Sequence, residues 1–221
     1  MILAYETATN ICSVAFQDSE GEVFEKRIQG RSVHSDNLFL FTQELMDEHN
    51  FAIANLDAVL VSNGPGSYTG LRIAASAIKG ILFGSDTSLY AVNTLASFAM
   101  GCKDEATKSI HSIIDARRTH VYHQAYKFED GLRDLSESKV MELSEFENLL
   151  EADDCVIGTG IDRIKKEALN NIHTFDDTFI AATTLIDLFK TNNADKYCIK
   201  TDPEDLNSNY ISSSQVNNSS I

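Results

Sequence analysis

The chain is 221 residues long, enough for one large domain or two small lobes. Hydrophobic residues make up 43% of it, which supports a packed core and excludes wholesale disorder, and no apolar run approaches the ~18–20 residues of a membrane span. The formal charge is −15, from 33 acidic and 18 basic residues; because neutralisation of phosphates by Lys and Arg drives nucleic-acid affinity, a field of this sign opposes unaided RNA binding.

The opening MILAYETATN lacks the basic stretch and long apolar run of a signal peptide and reads as a strand, so a cytoplasmic protein is expected. Three apolar or alternating runs follow, at 2–5, 12–17 and 22–28, with turn formers at 7–10 and 18–21; they predict an antiparallel meander. Residues 34–49 predict a helix with Leu38, Phe41 and Leu45 on its core stripe. The apolar run 56–62 suits a strand covered on both faces. A glycine-rich turn, a helix over about 71–83, a strand at 88–92 and a helix near 94–100 complete a first lobe, 1–104.

The polar stretch 103–108 reads as the junction to a second lobe, 105–210. Strands are predicted there at 109–115, 120–128, 138–141 and 155–158. A helix is predicted over 144–151, with Ser144 as cap and Glu147 completing a capping box. Further helical stretches are predicted at 163–169 and 178–190, the latter with Phe179, Leu185, Leu188 and Phe189 toward the core. The tail 211–221 has little to pack and reads as mobile. Cys12, Cys102, Cys155 and Cys198 form no C-x-x-C pair, so zinc-ribbon and redox motifs are not indicated and reduced thiols are expected.

The most informative stretch is DAVLVSNGPGSYTGLRIAASAIKGI, residues 57–81, a strand, a glycine loop and a helix. Gly64, Gly66 and Gly70 permit close backbone approach, and Ser67 and Thr69 add hydroxyls before Arg72. The loop is neither a P-loop nor G-x-G-x-x-G. Its spacing allows two readings, an anion cradle at a helix start or a turn that docks helix onto sheet. Ser76, Gly80 and Gly84 recur every four residues and favour the docking turn, since they let this helix pack closely on another. The helix 34–49 also carries Phe39, Leu40 and Met46 beyond its core stripe, more apolar surface than a solvent-facing helix needs. Burial under a second lobe or against a second subunit would each account for it, and the subunit is the preferred reading.

GPGSYTGLR with its alanine-containing helix resembles the glycine-loop motif of the TsaB (YeaZ) family. ILAYETATNICSVAF resembles that family's opening strand pair, with Glu6 where the family usually has Asp. RSVHSDNL resembles the entry to its first helix and IDARRTHVYHQAY the start of its second lobe; NYISSSQV near the C-terminus is a weaker match. The resemblance implies an α/β, actin-like ATPase fold with two lobes of mixed sheet and flanking helices. It implies pairing with TsaD, work alongside TsaE, and a contact through the first two helices. That surface comprises His34, Leu38, Phe39, Phe41, Thr42, Leu45 and Met46 on the first helix, with Leu71, Ser76, Gly80 and Gly84 on the second. The same patch should make a homodimer of the isolated chain.

The resemblance implies a non-catalytic subunit for threonylcarbamoyl modification of adenosine 37 in tRNA, with no cofactor of its own and with the complex interface as the place for any nucleotide. The segment AVNTLASF lacks the histidine that holds TsaD's metal, and the remaining histidines are expected to be isolated, so no metal is expected. Glu6, Gly64, Gly66, Ser67, Thr69, Gly70, Arg72 and Asp115 are candidate residues of a cleft or anion loop. Glu6 with Asp115 would be the acidic pair of the competing reading, an active actin-like kinase. A peptidase-like protein is the third reading, and Ser67 has no identifiable base for it.

Overall fold

The structure, a computed structural model, describes residues 1–105 and 107–206; the tail 211–221 and the NYISSSQV segment lie outside the described residues. The predicted meander is present as β1 (Ile2–Glu6), β2 (Ile11–Gln17) and β3 (Val23–Gln29), paired antiparallel throughout. Helix α1 (His34–His49) ends on a left-handed Asn50. After it come β4 (Ala58–Ser62), α2 (Tyr68–Ile81), β5 (Ser88–Val92) and α3 (Thr94–Ala99). Every residue of β2 and β4 is buried, as expected for strands covered on both faces.

The second half runs through β6 (Ile110–Asp115), β7 (His120–Phe128), β8 (Leu132–Asp134), β9 (Lys139–Glu142), α4 (Leu143–Glu147), β10 (Cys155–Gly158), β11 (His173–Phe175), α5 (Thr183–Phe189) and β12 (Cys198–Thr201). The first sheet has the order β12-β5-β4-β1-β2-β3, and the second β11-β10-β6-β7-β8 with β9 also on β7. Each sheet mixes parallel and antiparallel pairs. Helices α1 and α2 cover one face of the first sheet through Leu38, Leu45, Ala74 and Ile78. On its other face Leu95, Phe98, Leu185 and Leu188 of α3 and α5 share one core with Ile110, Ile114 and Tyr126 of the second sheet. The lobes are therefore joined by apolar packing as well as by the chain.

Three short strands were not predicted, because β8, β11 and β12 are three or four residues long and carry polar residues. The last of them returns the chain to the edge of the first sheet, antiparallel to β5. The helix expected over 163–169 is two 3-10 turns, Ile161–Arg163 and Lys166–Leu169. The stretch 178–190 divides into a turn at Asp177–Phe179 and α5, which leaves Phe179 47% exposed while Leu185 and Leu188 are buried. No capping box forms at Ser144. Helix α4 begins one residue earlier, where the Leu143 amide donates to the Thr119 carbonyl at 2.7 Å, and Glu147 instead pairs with Lys165 at 2.7 Å.

The far face of the second sheet holds a buried polar chain that spacing did not predict. His111 Nδ1 lies 3.0 Å from His123 Nε2, and His111 Nε2 lies 3.3 Å from Asp154 Oδ2, with Phe146 of α4 against both rings. The two histidines occupy neighbouring antiparallel strands, a proximity that one-dimensional spacing does not reveal. Burial lowers the pKa of both. For His123 it falls to about 3, with the neighbouring His111 and Lys139 acting in the same direction, whereas Asp154 partly offsets the effect at His111. His123 therefore stays neutral in the fold far below pH 6.5 and His111 protonates less readily than a free imidazole, while in the unfolded chain both take a proton near the usual 6.5. Stability should fall as pH drops below about 6.5, by up to ~1.4 kcal/mol per pH unit for His123, with His111 acting in the same direction. Denaturant titrations from pH 7 to pH 4 check this. The slope missing from His123→Leu isolates this pair from other titrating groups, and an equal slope in both proteins contradicts the assignment.

Candidate functional site

The glycine loop connects the end of β4 to α2, and protein acceptors occupy most of its amides. Asn63 N–H donates to the Val92 carbonyl at 2.8 Å, Gly64 N–H to Thr94 Oγ1 at 3.0 Å, and Ser67 N–H to the Ala8 carbonyl at 2.6 Å. Ser67 caps α2 by accepting from Gly70 N–H at 3.2 Å, and the Gly64–Pro65 bond is cis. A Cβ at Gly66 would collide with the Ala8 carbonyl oxygen, and one at Gly70 with the Thr7 carbonyl oxygen. These glycines let the loop lie directly on the β1–β2 turn. The contacts are those of a docking turn.

Glu6 ends β1 beneath this loop and is fully buried. Its Oε1 accepts from Ala8 N–H at 2.6 Å, and Oε2 has no partner among the described residues. Burial pushes its pKa up to about 7, against the opposing effect of hydrogen bonds from Ala8 and Ser62. Asp115 ends β6 in the other half, where it pairs with Arg163 and accepts from Arg117 N–H at 2.8 Å. Arg117 and Arg118 both adopt left-handed backbone at this turn, with φ of 72° and 53°. No hydrogen bond or shared partner joins Glu6 to Asp115 among the described residues. Each makes its backbone hydrogen bond at its own strand end.

Docking the loop lays α2 beside α1, and an open groove of about 500 Å³ runs between them. Ser35 and Phe39 of α1 line one side; Tyr68, Thr69, Arg72, Ile73, Ser76 and Ala77 of α2 line the other. Arg72 donates to the Tyr68 hydroxyl at 2.5 Å and lies over its ring. Phe39 and Tyr68 are each 51% exposed, and Phe83 just past α2 is 90% exposed. Large aromatic side chains left in water are more typical of interaction surfaces than of a monomer's free surface.

The predicted interface residues divide between two faces. Ser76, Gly80 and Gly84 are exposed, as is Phe39, while Phe41 and Met46 are partly buried against the core. His34, Leu38, Thr42, Leu45 and Leu71 are buried within this chain and do not present side chains outward. The reason is geometric: Leu38, Thr42 and Leu45 follow the i, i+4, i+7 stripe onto the first sheet, where Thr42 Oγ1 meets Tyr5 Oη at 3.0 Å. His34 Nε2 lies 3.1 Å from the Ile11 carbonyl oxygen. From the cleft set, Thr69 and Arg72 belong to the groove, whereas Gly64, Gly66, Ser67 and Gly70 build the turn. Tyr68 and Phe83 were not predicted; both lie outside the inward stripe of α2, which is the sequence signal that could have found them.

Two mixed sheets with shared and flanking helices define a two-lobed α/β protein of the actin-like class. A family model described as TsaD, tRNA N6-adenosine threonylcarbamoyltransferase, matches residues 29–198. The chain belongs to that family, and within it to the TsaB (YeaZ) group. It is 30% identical over 132 residues to the tRNA threonylcarbamoyladenosine biosynthesis protein TsaB of Escherichia coli K12, covering 59% of this chain and 56% of that one, so it spans little more than half the length of that curated relative. The TsaB of Bacillus subtilis 168 is 29% identical over 163 residues, 73% of this chain and 71% of that protein. The solved YeaZ of Pseudomonas aeruginosa has the same fold, with a TM-score of 0.77 over 95% of this chain and 99% of that one at 23% identity.

Gly70→Ala should destabilise the fold by about 1–3 kcal/mol, because the methyl group has no space against backbone. Gly80→Ala meets nothing within 4 Å among the described residues and should leave stability unchanged or raise it by up to ~1 kcal/mol. Chemical denaturation of the two variants checks this, and equal effects would contradict the docking role of Gly70.

Proposed function

We propose that this chain is a non-catalytic subunit for N6-threonylcarbamoyladenosine formation in tRNA, and that it binds a TsaD-type catalytic subunit through the exposed α1–α2 groove. The observation that carries the reading is the exposed aromatic pair at the groove, Phe39 and Tyr68, with Phe83 exposed just past α2, on helices whose inward faces are already packed. Covering such a face against a partner removes apolar area from water without disturbing the core. The names of the relatives supply the pathway.

The net charge of −15 supports a division of labour in which another subunit holds the tRNA. TsaE joins through the complex, and nucleotide, where required, binds at a subunit interface; this chain alone carries no cofactor in our reading. No helix among the described residues is long and apolar enough to cross a membrane, and we assign the complex to the cytoplasm, where tRNA is modified. Without TsaD, two copies of the chain should cover the same groove in an isologous contact.

Phe39→Asp and Phe83→Asp test this, because both side chains are exposed and their loss leaves the core intact. Each should weaken association with purified TsaD by about 30-fold or more, the scale of a ~2 kcal/mol hot spot, with an unchanged melting temperature. Unchanged affinity in both would contradict the proposal. Leu38→Arg is unsuitable for this purpose: Leu38 is 0% exposed, so the charge would be buried in the chain's own core.

A further inference from the structure

Two of the four cysteines are in contact, one on each side of the junction between the halves. Cys102 ends the 3-10 turn that follows α3, and Cys155 opens β10. They are 53 residues apart in sequence, and their sulfurs lie 2.6 Å apart. That is nearer than unbonded sulfur atoms rest and somewhat beyond the ~2.05 Å of a disulfide. Both side chains belong to the core shared by the two sheets, with exposures of 1% and 0%. The other cysteines stand elsewhere: Cys12 packs under α1 and α2, and Cys198 lies on the edge strand β12.

We propose that Cys102 and Cys155 form an oxidisable pair that closes a disulfide across the two halves of the molecule. In the reduced protein the two thiols share a hydrogen bond in which either sulfur can donate. That hydrogen bond, followed by burial, holds the Cys102 thiol well above its ordinary pKa, so thiolate forms only when the region opens locally. In the open form one protein thiolate attacks a low-molecular-weight disulfide, forming a mixed disulfide and releasing one small thiolate. The second protein thiolate then attacks the protein sulfur of that mixed disulfide. The Cys102–Cys155 bond forms, and a second small thiolate leaves. The two protein thiols are oxidised, the small disulfide is reduced to two thiols, and these carry the two protons.

The closed bond would enclose the junction and β6 to β9, and would tie the end of α3, which lies between the sheets, to the second sheet. Such a ring restricts the unfolded chain more than the folded one, where the sulfurs are already adjacent. It would also limit movement of one half against the other.

The test is to unfold the full chain, refold it in mixed reduced and oxidised glutathione, block free thiols with N-ethylmaleimide and map the peptides. Unfolding first removes any barrier from burial. A linked Cys102–Cys155 peptide should dominate, with Cys12 and Cys198 blocked, and the linked protein should melt several degrees above its dithiothreitol-treated form. Cys102→Ala and Cys155→Ala should lose both the link and the rise in melting temperature. If either variant fails to refold, the double variant Cys12→Ala/Cys198→Ala decides, since it keeps the pair and must form the link in full. Four blocked cysteines, links scattered among all four, or a link that leaves melting unchanged would overturn the proposal.

Discussion

The contact on which the rest of the first half depends is backbone against backbone. Gly66 and Gly70 bring the loop after β4 down onto the carbonyl oxygens of Ala8 and Thr7 at the β1–β2 turn. Side chains at either position would hold the two segments apart. Because they meet, Ser67 caps α2 in a fixed place and α2 lies beside α1, with Ala74, Ala77 and Ile78 on the sheet. Thr69, Arg72 and Ser76 then face outward, and the groove beside Phe39 follows from that rotation. Polar groups beneath the loop act in the same sense: Glu6 accepts from the Ala8 amide, and Ser62 Oγ accepts from the Thr7 amide at 3.2 Å. The glycine loop, which in sequence could pass for an anion site, serves chiefly as a joint between helix and sheet.

The two halves are also held together at several places. Arg27 of β3 donates to the carbonyls of Ile180 and Asp177 at 2.9 and 2.7 Å. Ser13 and Glu25 together receive the Ala182 amide, and Lys103 pairs with Asp187 at 2.7 Å. With α3 and α5 packed between the sheets, these contacts back the face of the first sheet opposite to α1 and α2. A preorganised surface loses less entropy when a partner settles on it, which suits the proposed binding face.

Much of this was legible from local pattern. The meander, α1, β5, β7 and β10 were predicted with bounds close to those observed, because each is a run whose periodicity or apolar content is decided by its own residues. The actin-like class came from motif resemblance. What was not legible depends on distant partners. CIKT has too little apolar content to announce β12, and it becomes a strand only because β5 offers an edge. His111 and His123 looked isolated because antiparallel pairing, not spacing, brings them together. In the candidate site, the apolar excess of α1 was visible, but assigning Leu38 and Leu45 to the outer surface confused the inward stripe with the surplus. The surplus is Phe39 and Leu40, each about half exposed.

The most direct measurement of the central claim is hydrogen–deuterium exchange of this chain, alone and saturated with a TsaD-type catalytic subunit. Protection on binding should concentrate in α1 and α2, over residues 34–49 and 68–83, with little change in β6 to β11. Complex formation with protection confined to the second half, or to the ends of β1 and β6 around Glu6 and Asp115, would contradict the account.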